Sequence, residues 1–265
     1  MGIEKSIVEY EKLVLYSLGL EYKGLKWCEL GNQINYKNEV AKKVYQSLGV
    51  EHTSIDINGK NGALPINLDK PVPTALLDRF DVITNYGTIE HVNNQYQVFK
   101  NVHDMCKKGG IMIHVFPLKG HWPRHCRYYY SEVFVKGLAN ASNYRIINYT
   151  ILDKDDYKTP NNLIAVTYIK KENNKFISKE EFDQIGGILD TGGLEFTGNY
   201  ANEDYNAFIS VARKLPSPIR RIGKKFIRNY ANEDYNAFIS VARKLPSPIR
   251  RIGKKFIRKL AQYLK

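Results

Sequence analysis

Cysteine is scarce. Cys28, Cys106 and Cys126 are the three in 265 residues, and no two form a CxxC pair. An odd, scattered set excludes a disulfide framework and points to a reducing, cytoplasmic compartment. Long apolar runs are also missing: no stretch approaches the roughly 20 apolar residues a membrane span needs. The first twenty residues carry Glu4, Glu9 and Glu11 among their apolar positions. That pattern is expected to form a surface helix and not a secretory signal. The body lacks net charge as well. The chain as a whole carries +13, yet residues 1–198 hold 24 Lys+Arg against 23 Asp+Glu, a net of +1. Residues 199–265 hold 16 against 4, a net of +12. The body therefore needs no polyanionic partner, and whatever the basicity does belongs to the tail.

The tail contains a repeat without divergence. The 30 residues 199–228 recur unchanged at 229–258. Solenoid repeats drift in sequence and need at least three units, so a repeat fold is excluded and an in-frame duplication or a sequence artefact is implied. Ile252, Phe256, Ile257, Leu260 and Leu264 fall on one helical face, with most of the basic side chains off it. A helix of this kind suits an anionic membrane surface. Packing on the domain and phosphate binding to nucleic acid are the alternatives.

The body alternates strands and helices. Helices are expected at 4–18, 36–48, 94–107 and 131–141, the third stopped by Gly109-Gly110 and the last capped by Ser131. Strands are expected at 25–31, 52–56, 80–85, 111–117, 144–152 and 163–170, with a short one at 64–68. Strands joined by helices imply a doubly wound, mostly parallel α/β sheet. The last two strands have no helix between them and should pair antiparallel. The domains are expected to be 1–172, a linker 173–198, and the helical tail 199–265.

Five segments carry chemistry. Gly31, in Glu29-Leu30-Gly31-Asn32-Gln33, ends the first strand and permits close backbone approach by a ligand, with Glu29 beside it to hold a cationic amine. Asp56 closes the second strand, 25 residues after Gly31, where a carboxylate accepts the hydrogen bonds of a ribose diol. The run Phe80–Val92 places Asn85-Tyr86-Gly87 at a strand end, followed by Glu90-His91-Val92. Lys107-Lys108-Gly109-Gly110 precedes the next strand. Gly120-His121-Trp122-Pro123-Arg124-His125-Cys126-Arg127-Tyr128 follows it. His121 and His125 have the spacing of half a zinc site, but the residues between them are not helical and no second pair matches, so no metal is expected.

These segments, over residues 22–170, resemble class I S-adenosylmethionine-dependent methyltransferases in family order. The Glu90-His91-Val92 triplet is similar to that of the type 11 and ubiquinone-biosynthesis O-methyltransferase group. Of the family's glycine-rich turn only Gly31 is kept, and Asn35 stands at the third glycine position. The resemblance implies a Rossmann-like methyltransferase fold and S-adenosylmethionine as cofactor. It implies Glu29, Gly31 and Asn32 near the methionine moiety and Asp56 on the ribose. Ile57, Asn67 and Leu68 would lie by the adenine, and Asn85 and Gly87 under the sulfonium. It implies a loop bearing His121, His125, Arg127 and Tyr128 over the substrate. His91, with Glu90 beside it near the end of the fourth strand, is the candidate general base by position, the alternative being a first-turn helix residue in a structural hydrogen bond. The expected reaction is methyl transfer to a hydroxyl of a small molecule or glycan. The rival is a non-catalytic methyltransferase-like binding protein that acts through its tail.

Overall fold

The computed structural model describes residues 2–122, 125–152 and 162–192. The basic tail and its duplication lie outside the described residues. The elements run α1 (Lys5–Ser17), β1 (Lys26–Leu30), α2 (Ala41–Ser47), β2 (Glu51–Ile55), β3 (Phe80–Tyr86), α3 (Gln95–Met105), β4 (Cys106–Pro117) and β5 (Tyr128–Tyr130). Then come α4 (Glu132–Ala141), β6 (Tyr144–Leu152), β7 (Leu163–Lys170), α5 (Lys179–Gln184) and β8 (Ile188–Asp190). Six strands form one sheet in the order β2-β1-β3-β4-β7-β6. The first four are parallel, and β7 runs antiparallel to both β4 and β6. The doubly wound α/β expectation holds, including the antiparallel pairing of the last two long strands.

Successive strand residues face opposite sides of the sheet. Cys28, Ile83 and Met112 pack on one face with α3 and α4, through Phe99, Val102, Phe134 and Leu138. Trp27, Val82, Ile111 and Ile113 pack on the other with α1 and α2, through Ile7, Tyr10, Val14 and Tyr45. Each helix supplies an apolar stripe at helical spacing, so the sheet is covered on both faces, as a mainly parallel sheet requires.

Four local expectations change. The helix expected over 36–48 is α2 alone, because the Asn35 carboxamide accepts from Lys37 N and Glu39 N and Asn38 adopts φ +65°. Such side-chain-to-backbone bonds compete with a helical turn. The strand at 64–68 shrinks to one bridge between Ile55 and Leu64, since Pro65 cannot donate to a ladder. Gly109-Gly110 does not stop α3: the helix ends at Met105, and Lys107–Gly110 form an irregularity at the start of β4. The Ser131 hydroxyl donates to Gly187 O instead of capping α4.

Glu11 is not a surface residue. It is buried on the sheet side of α1, and its carboxylate accepts the hydroxyls of Tyr22 (2.8 Å), Tyr45 (2.6 Å) and Tyr86 (2.7 Å). Burial raises its pKa, against the pull of those three bonds. Within the expected linker, residues 173–192 carry α5 and β8, and β8 pairs with β5.

Candidate active site

In this strand order β2 and β3 flank β1, so the chain reverses direction at the carboxyl ends of β1 and β3. Ligands of open α/β sheets bind at such a reversal. Gly31 leaves β1 there at φ +91°, and a Cβ on it would meet Thr88 Oγ1 at 2.5 Å and Gln33 Nε2 at 2.6 Å. Gly31 N donates to Ile55 O (2.7 Å), and Asn32 N donates to Asp56 Oδ2 (2.8 Å). The turn is thereby pinned to the end of β2. From the other side, Thr88 Oγ1 donates to Leu30 O (2.8 Å), and Gln33 Nε2 donates to Thr88 Oγ1 (3.2 Å). Thr88 and Gln33 were not anticipated from the sequence. Gln33 occupies the family's second glycine position, and its side chain folds across the turn.

Asp56 accepts one backbone N–H on each oxygen, from Asn32 and from Asn58 (2.9 Å). A carboxylate has about four acceptor sites, so two are left for a vicinal diol. Ile57 beside it is 69% exposed, a large apolar side chain open to a flat ligand. Asn67 is exposed and accepts from Asp69 N, whereas Leu68 is a core residue whose carbonyl accepts from Asn101. Glu29 lies at the end of β1. It is 1% exposed and stands 3.8 Å from His52, with its pKa raised chiefly by burial. Its Oε1 is buried without a hydrogen-bond partner among the described residues.

Beyond β3, Gly87 turns the chain at φ +88°. Asn85 Oδ1 accepts from Thr88 N and Ile89 N, and its Nδ2 is buried without a partner. The residues Ile89–His91 form a single 3₁₀ turn, not the start of a longer helix. Gln95 braces that turn by donating to Ile89 O (2.9 Å) and Val92 O (2.7 Å) while accepting from Tyr130 (2.6 Å). Glu90 is fully buried, and neither of its oxygens has a hydrogen-bond partner among the described residues. Burial pushes its carboxyl up to about 7. His91 Nδ1 and His125 Nε2 are also buried and unpartnered, with the rings edge to face at 5.4 Å. Burial lowers His91 to about 3, with His125 adding to the effect, and burial lowers His125 to about 4. One ligand atom from each of Glu90, His91 and His125 lies within 4.8 Å of the other two.

The expected substrate loop thus divides. His125 joins Glu90 and His91, and His121 does not belong to that group. Arg127 is committed to Asp190 through two bonds of 2.8 Å and to Asn93 through a third. Tyr128 is buried and donates to Asn93 O (2.8 Å). Both hold β5 in place. Beside them, a groove of about 810 Å³ is lined by Asn93, Tyr96, Tyr128, Phe182 and Asp190, among others. A second cavity, lined by Lys26, Glu51 and His52, opens at the amino ends of the strands, opposite the turns. Among the described residues no helix is long and apolar enough to cross a membrane.

No curated protein gives a significant match. Several solved structures are similar to the chain. The 1,6-didemethyltoxoflavin-N1-methyltransferase of Burkholderia thailandensis, bound to 1,6-didemethyltoxoflavin and S-adenosylhomocysteine, is 12% identical over 63% of this chain and 79% of its own, with a TM-score of 0.48. The N-methyltransferase NodS of Bradyrhizobium japonicum, in complex with S-adenosylhomocysteine, is 12% identical over 64% and 89%, with a TM-score of 0.44. The [4+2]-cyclase SpnF is 12% identical over 61% and 80%, with a TM-score of 0.45. Residues 9–150, more than half of the chain, match the model of a methyltransferase domain family. The chain belongs to that methyltransferase domain family and is a class I S-adenosylmethionine-dependent methyltransferase.

Proposed function

We propose that this enzyme methylates a hydroxyl oxygen of a small-molecule or glycan acceptor, and that Glu90, His91 and His125 are the groups that meet the reacting atom. One observation carries the reading: a fully buried carboxylate with both oxygens unpartnered sits beside two unpartnered imidazole nitrogens. Groups left unsatisfied in this way are costly and collect where a ligand completes them. The Glu90-His91-Val92 triplet is also the feature shared with the type 11 and ubiquinone-biosynthesis O-methyltransferase group.

On this reading Asp56 takes the ribose diol of the cofactor with its two remaining acceptor sites. Ile57 covers the adenine, and Asn67 and the Leu68 backbone stand at the adenine edge. Gly31, Asn32, Asn85 and Gly87 enclose the methionine end. S-adenosylmethionine, when bound, supplies a methyl group already activated on a sulfonium. The chain's own task is then to hold the acceptor in line and manage its proton. The tail, in whose sequence Ile252, Phe256, Ile257, Leu260 and Leu264 recur at helical spacing, is assigned to contact with an anionic membrane.

The test is methyl transfer from isotopically labelled S-adenosylmethionine to a panel of sugar, phenol and amine acceptors. O-methylation is expected, slowed about 10²-fold or more in His91→Ala with little change in cofactor affinity. Labelling of amines alone, or full activity in His91→Ala, overturns the assignment.

A further inference from the structure

We propose that Glu90, His91 and His125 form a binding site for one first-row divalent metal ion, with an open position facing the acceptor. The inference deepens the functional reading above and rests on it only for the acceptor's role.

The donor set decides the kind of ion. One carboxylate and two imidazoles suit zinc, cobalt, manganese or iron, whereas magnesium and calcium prefer oxygen donors throughout. The three donors come from two places in the chain, the turn after β3 and the loop after β4, so the site spans the carboxyl ends of adjacent strands. Metal–nitrogen and metal–oxygen bonds are about 2.0–2.2 Å long, so neighbouring donors around a tetrahedral or octahedral ion stand about 3–3.5 Å apart. The donor atoms lie within 4.8 Å of one another, so they draw together by up to about 1–2 Å on binding an ion. Glu90 Oε1 and Oε2, His91 Nδ1 and His125 Nε2 have no hydrogen-bond partner among the described residues. Glu90 is 0% exposed, so an ion would enter from the histidine side, where both residues are only partly buried. Gln95 supports the site from beneath by fixing the turn that carries Glu90 and His91.

The chemistry follows from the open position. An acceptor hydroxyl that coordinates the ion loses its proton to solvent more readily, and the oxygen presented for methylation is then an alkoxide or phenoxide. In the transfer its lone pair forms the C–O bond as the methyl–sulfur bond breaks. The electron pair stays on sulfur, so the sulfonium leaves as a neutral thioether.

The experiment is calorimetric titration of the full chain, stripped with a chelator, using Zn²⁺ and Co²⁺ without cofactor or acceptor. One equivalent should bind, and Co²⁺ should give visible ligand-field absorption. Glu90→Gln and His125→Ala should each weaken binding at least tenfold, with thermal unfolding of the metal-free variants confirming that they are folded. His121→Ala should bind as the wild type does. No binding by the wild type overturns the proposal. So does unchanged binding in the folded Glu90→Gln and His125→Ala variants, or a loss in His121→Ala equal to that in His125→Ala. Because no cofactor is present, a metal-binding protein that fails to methylate any acceptor would refute the functional reading and leave the metal site standing.

Discussion

Removing Glu11 should loosen α1 from the sheet far more than its place in an apparently amphipathic surface helix implies. In Glu11→Ala, three tyrosine hydroxyls lose their acceptor. Tyr45 and Tyr86 are buried, so each unpartnered hydroxyl costs about 1–3 kcal/mol. Tyr22 is partly exposed and can turn to water, so its loss is smaller. The absent carboxylate no longer has to be desolvated, which offsets part of the sum. The net loss should be about 3–4 kcal/mol. For a body of this size that corresponds to roughly 10 °C in Tm. Glu11→Gln keeps one acceptor oxygen and should lose about half as much. The consequence extends beyond α1, because Tyr45 also stacks on Trp27 at 5.0 Å and on His52 at 5.1 Å, directly behind Glu29 and the Gly31 turn. Denaturant unfolding of the two variants measures the effect. A loss under about 1 kcal/mol in Glu11→Ala, or a larger loss in Glu11→Gln than in Glu11→Ala, would refute the reasoning.

Gly31→Ala should cost about 2–4 kcal/mol by denaturant unfolding, because φ +91° is strained for alanine and the new Cβ displaces Thr88 and Gln33. Cofactor affinity, followed in the same samples by calorimetry, should fall with it. His114 is buried, and desolvation lowers its pKa to about 3, below the unfolded value of about 6.5. Its neutral form is favoured in the fold, so its contribution is complete above pH 6.5 and is lost as the pH falls toward 3. His114→Gln should therefore flatten the acid arm of the stability profile by a few kcal/mol over that window. Deleting 229–258, a segment of seven Lys+Arg and two Asp+Glu, should leave cofactor affinity unchanged. It should weaken co-sedimentation with anionic liposomes and leave neutral ones unaffected.

The sheet was legible because its strands are apolar runs with glycine or polar stops, and Phe80–Tyr86 and Leu163–Lys170 state their period without competition. Gly31, Asp56 and Glu90-His91 were legible as positions for the same reason, each falling at a strand end. Their roles were less so. Glu29 precedes the turn in sequence, but nothing local to the sequence records that strand alternation brings it within 3.8 Å of His52. Glu11 reads as a solvated charge until the tyrosines of β3 and α2 come against it. His125 lies 34 residues from His91, and its apparent partner by spacing was His121. Parallel pairing of β3 with β4 is what brings His125 to Glu90, and no local pattern records it. Gln33, Thr88 and Gln95 are ordinary polar residues whose bonds exist only once both strand ends are in place.

The central claim is tested most directly by calorimetric titration of the full chain with S-adenosylhomocysteine, in the wild type and in Asp56→Ala. A single saturable site is predicted. Asp56→Ala should weaken it by about 1–3 kcal/mol, roughly five- to 150-fold in Kd, through the loss of charge-assisted hydrogen bonds to the ribose. An absence of binding by the folded wild type would contradict the account at its root. Affinity unchanged in Asp56→Ala would remove the end of β2 from the site.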